Sequence, residues 1–150
     1  MNENSFNAWL SKELRMKHGQ GFHHVKISDK FTAGISDFII WGLSASLVME
    51  VKYISELPSM KAKLLKHPFE GDQQTFMESV VITGNKAFGL VALGDKKNGR
   101  LYLIQAGDIP ADGNWNTEDF LKNQPKREYH WGNWYHMVVY ALTGKEYDGE

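Results

Sequence analysis

The stretch GISDFIIWGLSASLVMEVKYI, Gly34 to Ile54, contains two β-rich runs, Ile35–Trp41 and Leu47–Tyr53, joined by small residues as in a hairpin. It also places charge where strand is expected: Asp37 precedes Phe38-Ile39-Ile40-Trp41, and Glu50 and Lys52 alternate with Met49, Val51 and Tyr53. A buried charge is costly unless it is paired or holds a metal. Residues two apart on a strand share a face, so Glu50 and Lys52 point one way and Met49, Val51 and Tyr53 the other. A hairpin folds Asp37 back toward Glu50. Two carboxylates and an ammonium converging at one rim of a sheet suit a magnesium-dependent attack on a phosphodiester. The competing reading is the outer face of an edge hairpin, with Glu50 and Lys52 a solvated pair of little energetic weight.

The rest of the chain is consistent with one soluble domain. It has 150 residues, 17.1 kDa, 42% hydrophobic and 23% charged side chains, enough for one core and short for two. With no cysteine, disulfides and thiolate-held metals are excluded. The start, MNENSFNAWL, lacks the basic and apolar regions of a signal peptide, and no run approaches the roughly 18 apolar residues of a membrane span. The expected location is therefore cytoplasmic, with no membrane partner. A net charge of −1 advertises no broad basic field for nucleic acid, although bound cations would supply local positive charge.

Outward from the hairpin, Phe6, Trp9, Leu10 and Leu14 recur at helical spacing and predict a helix over residues 4–17, stopped at His18-Gly19. Phe22–Ile27 reads as a short strand. Pro58, Pro68, Lys61, Lys63, Lys66 and Gly71 mark residues 55–71 as a surface loop. Asp72 is the expected cap of a helix running to Ile82 and ending in Thr83-Gly84-Asn85-Lys86. Phe88–Leu93 and Leu101–Gln105 read as strands around a polar turn. Residues 107–130 read as loop-rich, with a short helix at Thr117–Leu121, and Trp131–Thr143 as an aromatic helix before an acidic end. The order αβββαβ, with an antiparallel hairpin and a helical crossover, predicts an α/β (α+β) domain with a mixed sheet flanked by helices. We expect one domain over 1–150, its core at about 3–105 and an aromatic extension at 106–150.

Gly34-Ile35-Ser36-Asp37, twelve further residues, then Glu50-Val51-Lys52 resembles the signature of the PD-(D/E)XK nuclease superfamily, which includes Holliday-junction resolvase-like and VRR-NUC nucleases. Ser36 stands where the usual pattern has proline. The resemblance extends to an acidic residue in the first helix, Glu3 with Glu13 as second choice. It also covers a glutamine opening the crossover helix, Gln73 followed by Phe76, and the run Gly84–Val91. It spans about Glu3 to Leu93 and implies a restriction-endonuclease-like core. It further implies catalytic Asp37, Glu50, Lys52 and Gln73, with magnesium (manganese substituting) on Asp37, Glu50, the Val51 carbonyl and Glu3. The implied activity is a DNA endonuclease selective for branched DNA, Holliday junctions or single strands. The alternative is an inactive nuclease-fold module that binds DNA or protein. Symmetric cutting further implies a homodimer, for which Trp131–Leu142 is the expected interface; the competing role for that helix is to cover the sheet.

Other features have two readings each. Gln73 and Glu3 also suit an ordinary helix first turn. Lys61, Lys63 and Lys66 are either phosphate contacts or a solvated linker. His23-His24 and His130/His136 lack zinc-ligand spacing and read as structural. Trp115, Trp131, Trp134 and Tyr135 either stack on bases or fill a core or a subunit interface.

Overall fold

The computed structural model describes residues 1–17, 22–26, 37–42 and 45–147. Helix α1 (Glu3–Met16) opens with a reciprocal capping box, the Asn2 side chain accepting from Ser5 N–H and Ser5 Oγ accepting from Asn2 N–H. Its apolar stripe, Phe6, Leu10 and Leu14, is fully buried. Strands β1 (Phe22–Lys26), β2 (Phe38–Gly42), β3 (Ser46–Ile54), β4 (Lys86–Leu93), β5 (Arg100–Gln105) and β6 (Arg127–His130) lie side by side in chain order. Every neighbouring pair is antiparallel except β3 and β4, which are parallel. That pair needs a crossover, supplied by helix α2 (Gly71–Ile82). Helices α3 (Thr117–Asn123) and α4 (Trp134–Thr143) follow, α4 entered through a short 3₁₀ turn at Trp131–Asn133.

Alternation sorts the sheet into two faces. Phe38, Ile40, Leu47, Met49 and Val51 form a core with α1 and α4. Val48 and Ile54 lie on the other face, in a core with Met77 of α2, Phe120 of α3, and Phe69 and Trp115 of the connecting segments. Glu50 and Lys52 share the parity of Val48 and Ile54, so they stand on the α2 face. β3 is interior, between β2 and β4, and Glu50 and Lys52 are only 4% and 8% exposed. The solvated edge-hairpin reading is thereby excluded.

Several expectations are corrected. The cap of α2 is Glu70, not Asp72, which sits in its first turn. The segment 107–130 contains a sixth strand, whose Arg-Glu-Tyr-His sequence has no apolar run because it lies at the sheet edge with its first two residues exposed. The aromatic helix does not project outward. Trp131 and Trp134 are 0% and 6% exposed and pack with Met137, Val138, Ala141 and Leu142 on the chain's own sheet, so the covering role holds and these two tryptophans offer little surface to a partner. Trp115, too, is core. The expected starts and stops at His18-Gly19, Ile27 and Gly34-Ile35-Ser36, and the Leu43-Ser44 connection, lie outside the described residues.

Candidate active site

Phe38 pairs with Met49 and Ile39 with Val48, so the β2–β3 register puts Asp37 directly across from Glu50 at the end of the ladder. The expected convergence of the two carboxylates is therefore a consequence of register. Asp37 is held there by the neighbouring strand: its Oδ2 accepts a 2.7 Å hydrogen bond from Val51 N–H. In an antiparallel pair a residue's N–H and C=O leave the strand on the same side, so the Val51 carbonyl also points toward the Asp37 edge.

Glu50 is oriented from the opposite layer. The Gln73 amide oxygen accepts from Glu70 N–H at 2.9 Å, which commits its amide nitrogen to donate to Glu50 Oε1 at 2.6 Å. A glutamate at 73 could not donate in this way, and a lysine could not accept. The second carboxyl oxygen, Glu50 Oε2, is buried without a hydrogen-bond donor among the described residues. The Asp37 carboxyl comes close enough to share a proton with Glu50, but when both are ionised each offers only acceptors. Burial first, and then the Asp37 charge, push Glu50 up from 4.5 to about 9, with Lys52 pulling it back. Glu3 is raised by burial and by Asp37, and lowered by Lys52 and His67. These directions place Glu3 and His67 in the same electrostatic neighbourhood.

Space beside Glu50 is made by a glycine. Gly89 of β4 is its register partner, and a Cβ there would come within 2.8 Å of the Phe69 ring. Phe69 therefore packs directly against the strand at Gly89, with Lys52 Nζ 5.5 Å from its ring centre. Beyond Lys52 opens a cleft of about 660 Å³, bounded by the start of α1 with Glu3 and by Lys63, Leu64, Leu65, Lys66 and His67.

Glu3, Asp37, Glu50, Lys52, Val51 and Gln73 are thus gathered around the middle of β3, where β2 begins, whereas Glu13 takes no part in the charge interactions of this cluster. His67 was not legible as a site residue, because a lone histidine in a proline- and lysine-containing loop carries no motif. His24 bonds Ser11 Oγ at 3.1 Å, and His130 caps the 3₁₀ turn through Gly132 N–H, both structural roles.

The cluster fits a hard divalent cation. Its donors are all oxygens, one of them buried without a hydrogen-bond donor, and the mutual repulsion that raises Glu50 is what a cation would relieve. Among the described residues no group of three or more His, Cys, Asp or Glu side chains could hold a metal ion, so Glu3 does not complete a side-chain triad with Asp37 and Glu50. The protein ligands would be two carboxylates and a main-chain carbonyl, with water completing the shell, as magnesium prefers.

No protein-family model and no curated protein matches the sequence. Among solved structures, the 1.6 Å structure of Archaeoglobus fulgidus Hjc, a Holliday junction resolvase from an archaeal hyperthermophile, matches with a TM-score of 0.52. The identity is 16%, over 75% of this chain and 85% of that one. The chain has the restriction-endonuclease-like fold: a mixed sheet between helices, in the αβββαβ order, similar to that resolvase.

Proposed function

We propose that the protein is a magnesium-dependent DNA endonuclease of the PD-(D/E)XK kind, selective for branched or single-stranded DNA. The observation that supports this most strongly is the buried Glu50 carboxylate, set against Asp37 by strand register and aimed by Gln73, with Lys52 on the same face. A fold maintained for structure alone gains nothing from such a group, since an apolar side chain would avoid the cost of burying it. Asp37, Glu50 and the Val51 carbonyl would hold the ion, with Glu3 at the mouth of the site. When bound, it acidifies a water and neutralises charge on the phosphate.

The side chains divide the remaining work. Gln73 and the Val51 N–H keep the two carboxylates from rotating away from each other, so the geometry is set before substrate arrives. Lys52, buried beside Phe69, is placed to orient the attacking water and to offset the negative charge that grows on the phosphate oxygens. Water's oxygen bonds to phosphorus, one ester P–O bond breaks, and the departing oxygen takes up a proton.

The test is cleavage of labelled duplex, flap, four-way and single-stranded DNAs with magnesium or manganese. The wild-type protein should cut a branched or single-stranded substrate in preference to duplex. Glu50→Ala and Lys52→Ala should each cut at least 100-fold more slowly, the usual cost of losing a group that acts on transition-state charge. Folded variants with wild-type turnover would remove the catalytic assignment. A wild-type protein that binds these DNAs without cutting them would instead favour an inactive binding module.

A further inference from the structure

The segment that closes the cleft is a loop by composition, yet it is tied down along its length. Leu64 N–H donates to the Trp115 carbonyl at 2.9 Å, and Leu65 N–H donates to Asn114 Oδ1 at 3.0 Å. The Asn114 amide nitrogen returns a 2.8 Å bond to the Leu65 carbonyl. Thr117 bonds the Ala62 carbonyl through both its N–H and its hydroxyl, and Phe69 N–H donates to the Gly113 carbonyl. Leu64, Leu65 and Phe69 are buried. Between these anchors Lys66 and His67 stay exposed and line the cleft that leads to Lys52, with Lys63 at its rim 3.9 Å from Asp112. A mobile lysine loop would lose ordering entropy on gripping a ligand; here most of that loss is already met by folding.

We propose that Lys66 and His67, carried on this pinned segment, hold a backbone phosphate of the nucleic-acid strand next to the one that is cut. The inference rests on the nuclease reading above and adds where the strand runs: past Lys52, between the start of α1 and residues 63–67. The charges in the cleft fit that path. Glu3, at the start of α1, lines the cleft together with His67 and Lys52. Lys66 lines the same cleft and is exposed, where an anionic group of a strand would arrive. The chain as a whole carries a charge of −1, so any attraction for a polyanion must come from local groups of this kind.

Binding of a fluorescent single-stranded oligonucleotide and of a four-way junction, in EDTA and across a salt series, tests the proposal. Each phosphate contact contributes about 0.7–0.9 to the slope of log K against log salt. The double variant K66A/H67A should lower that slope by roughly 1 and weaken binding at low salt, while K122A, in the last turn of α3 and outside the cleft lining, should leave both unchanged. An unchanged slope in K66A/H67A would overturn the proposal. So would an equal loss in K122A, which would mark a diffuse charge effect. The binding measurement stands apart from catalysis. Loss of the slope together with no magnesium-dependent cleavage by wild type would keep the phosphate wall and discard the endonuclease, whereas cleavage with an unchanged slope would do the reverse.

Discussion

Glu50 is a carboxyl group whose proton affinity differs sharply between the folded and unfolded chain. Folded, it is raised to about 9; unfolded, it returns toward 4.5. Between those values the unfolded chain has released a proton that the folded chain keeps. The stability of the metal-free protein should therefore be highest, as far as this group is concerned, below about pH 4.5, and should fall as pH rises toward 9. Glu50→Gln keeps the shape and the acceptor for Gln73 but removes the charge. In EDTA its Tm should exceed that of wild type at pH 8 and approach it at pH 5; a gap independent of pH would show that Glu50 is not the source. Magnesium should then raise the Tm of wild type and not of Glu50→Gln, because binding requires the deprotonated carboxylate. Gln73 works at the same scale, with one end of its amide held by the backbone and the other holding Glu50.

Among the elements, two contacts decide whether the site keeps its walls. Gly113 has φ +73°, and a Cβ there would run into the Phe69 backbone. Gly113→Ala should cost on the order of 1–3 kcal/mol in strain and loosen the hydrogen bond that pins residues 63–69. Thermal unfolding should show a Tm lower by several degrees, and DNA binding should weaken with it. An unchanged Tm would mean that the wall does not depend on this turn. The second contact is α4 against the sheet. Trp134→Ala should destabilise by about 3–5 kcal/mol, because it empties a buried volume beside Met137 and Val138. Urea denaturation would measure the loss, and a cost below about 1 kcal/mol would refute the packing role.

At the level of the whole molecule, cutting two symmetric strands calls for two sites related by a two-fold axis. We expect light scattering with a four-way junction to give protein mass of two 17.1 kDa chains. One chain, with and without DNA, would remove the homodimer. Trp131, Trp134, Met137 and Val138 are used inside the subunit, so a two-fold interface would draw on other residues, and Trp134→Ala should leave that mass unchanged. No helix among the described residues is long and apolar enough to cross a membrane.

The element order through Lys86–Leu93 and the Asp37–Glu50–Lys52 grouping were legible from the residues, because both depend on local rules. Period-two alternation assigns strand faces, and a short hairpin connection fixes which residues face each other. Arg127–His130 was illegible as a strand because an edge position asks for few apolar side chains. The outward or inward fate of the aromatic helix was likewise open, since an apolar helix face does not say which surface it will cover. That the Gln73 amide reaches Glu50, 23 residues earlier, and that Asn114 bonds Leu65 across 49 residues follows from packing between distant segments. These contacts depend on how the layers stack. The burial that raises Glu50 and the cleft beside Lys52 exist only once α2, Phe69 and the 113–117 segment have closed over one face of the sheet.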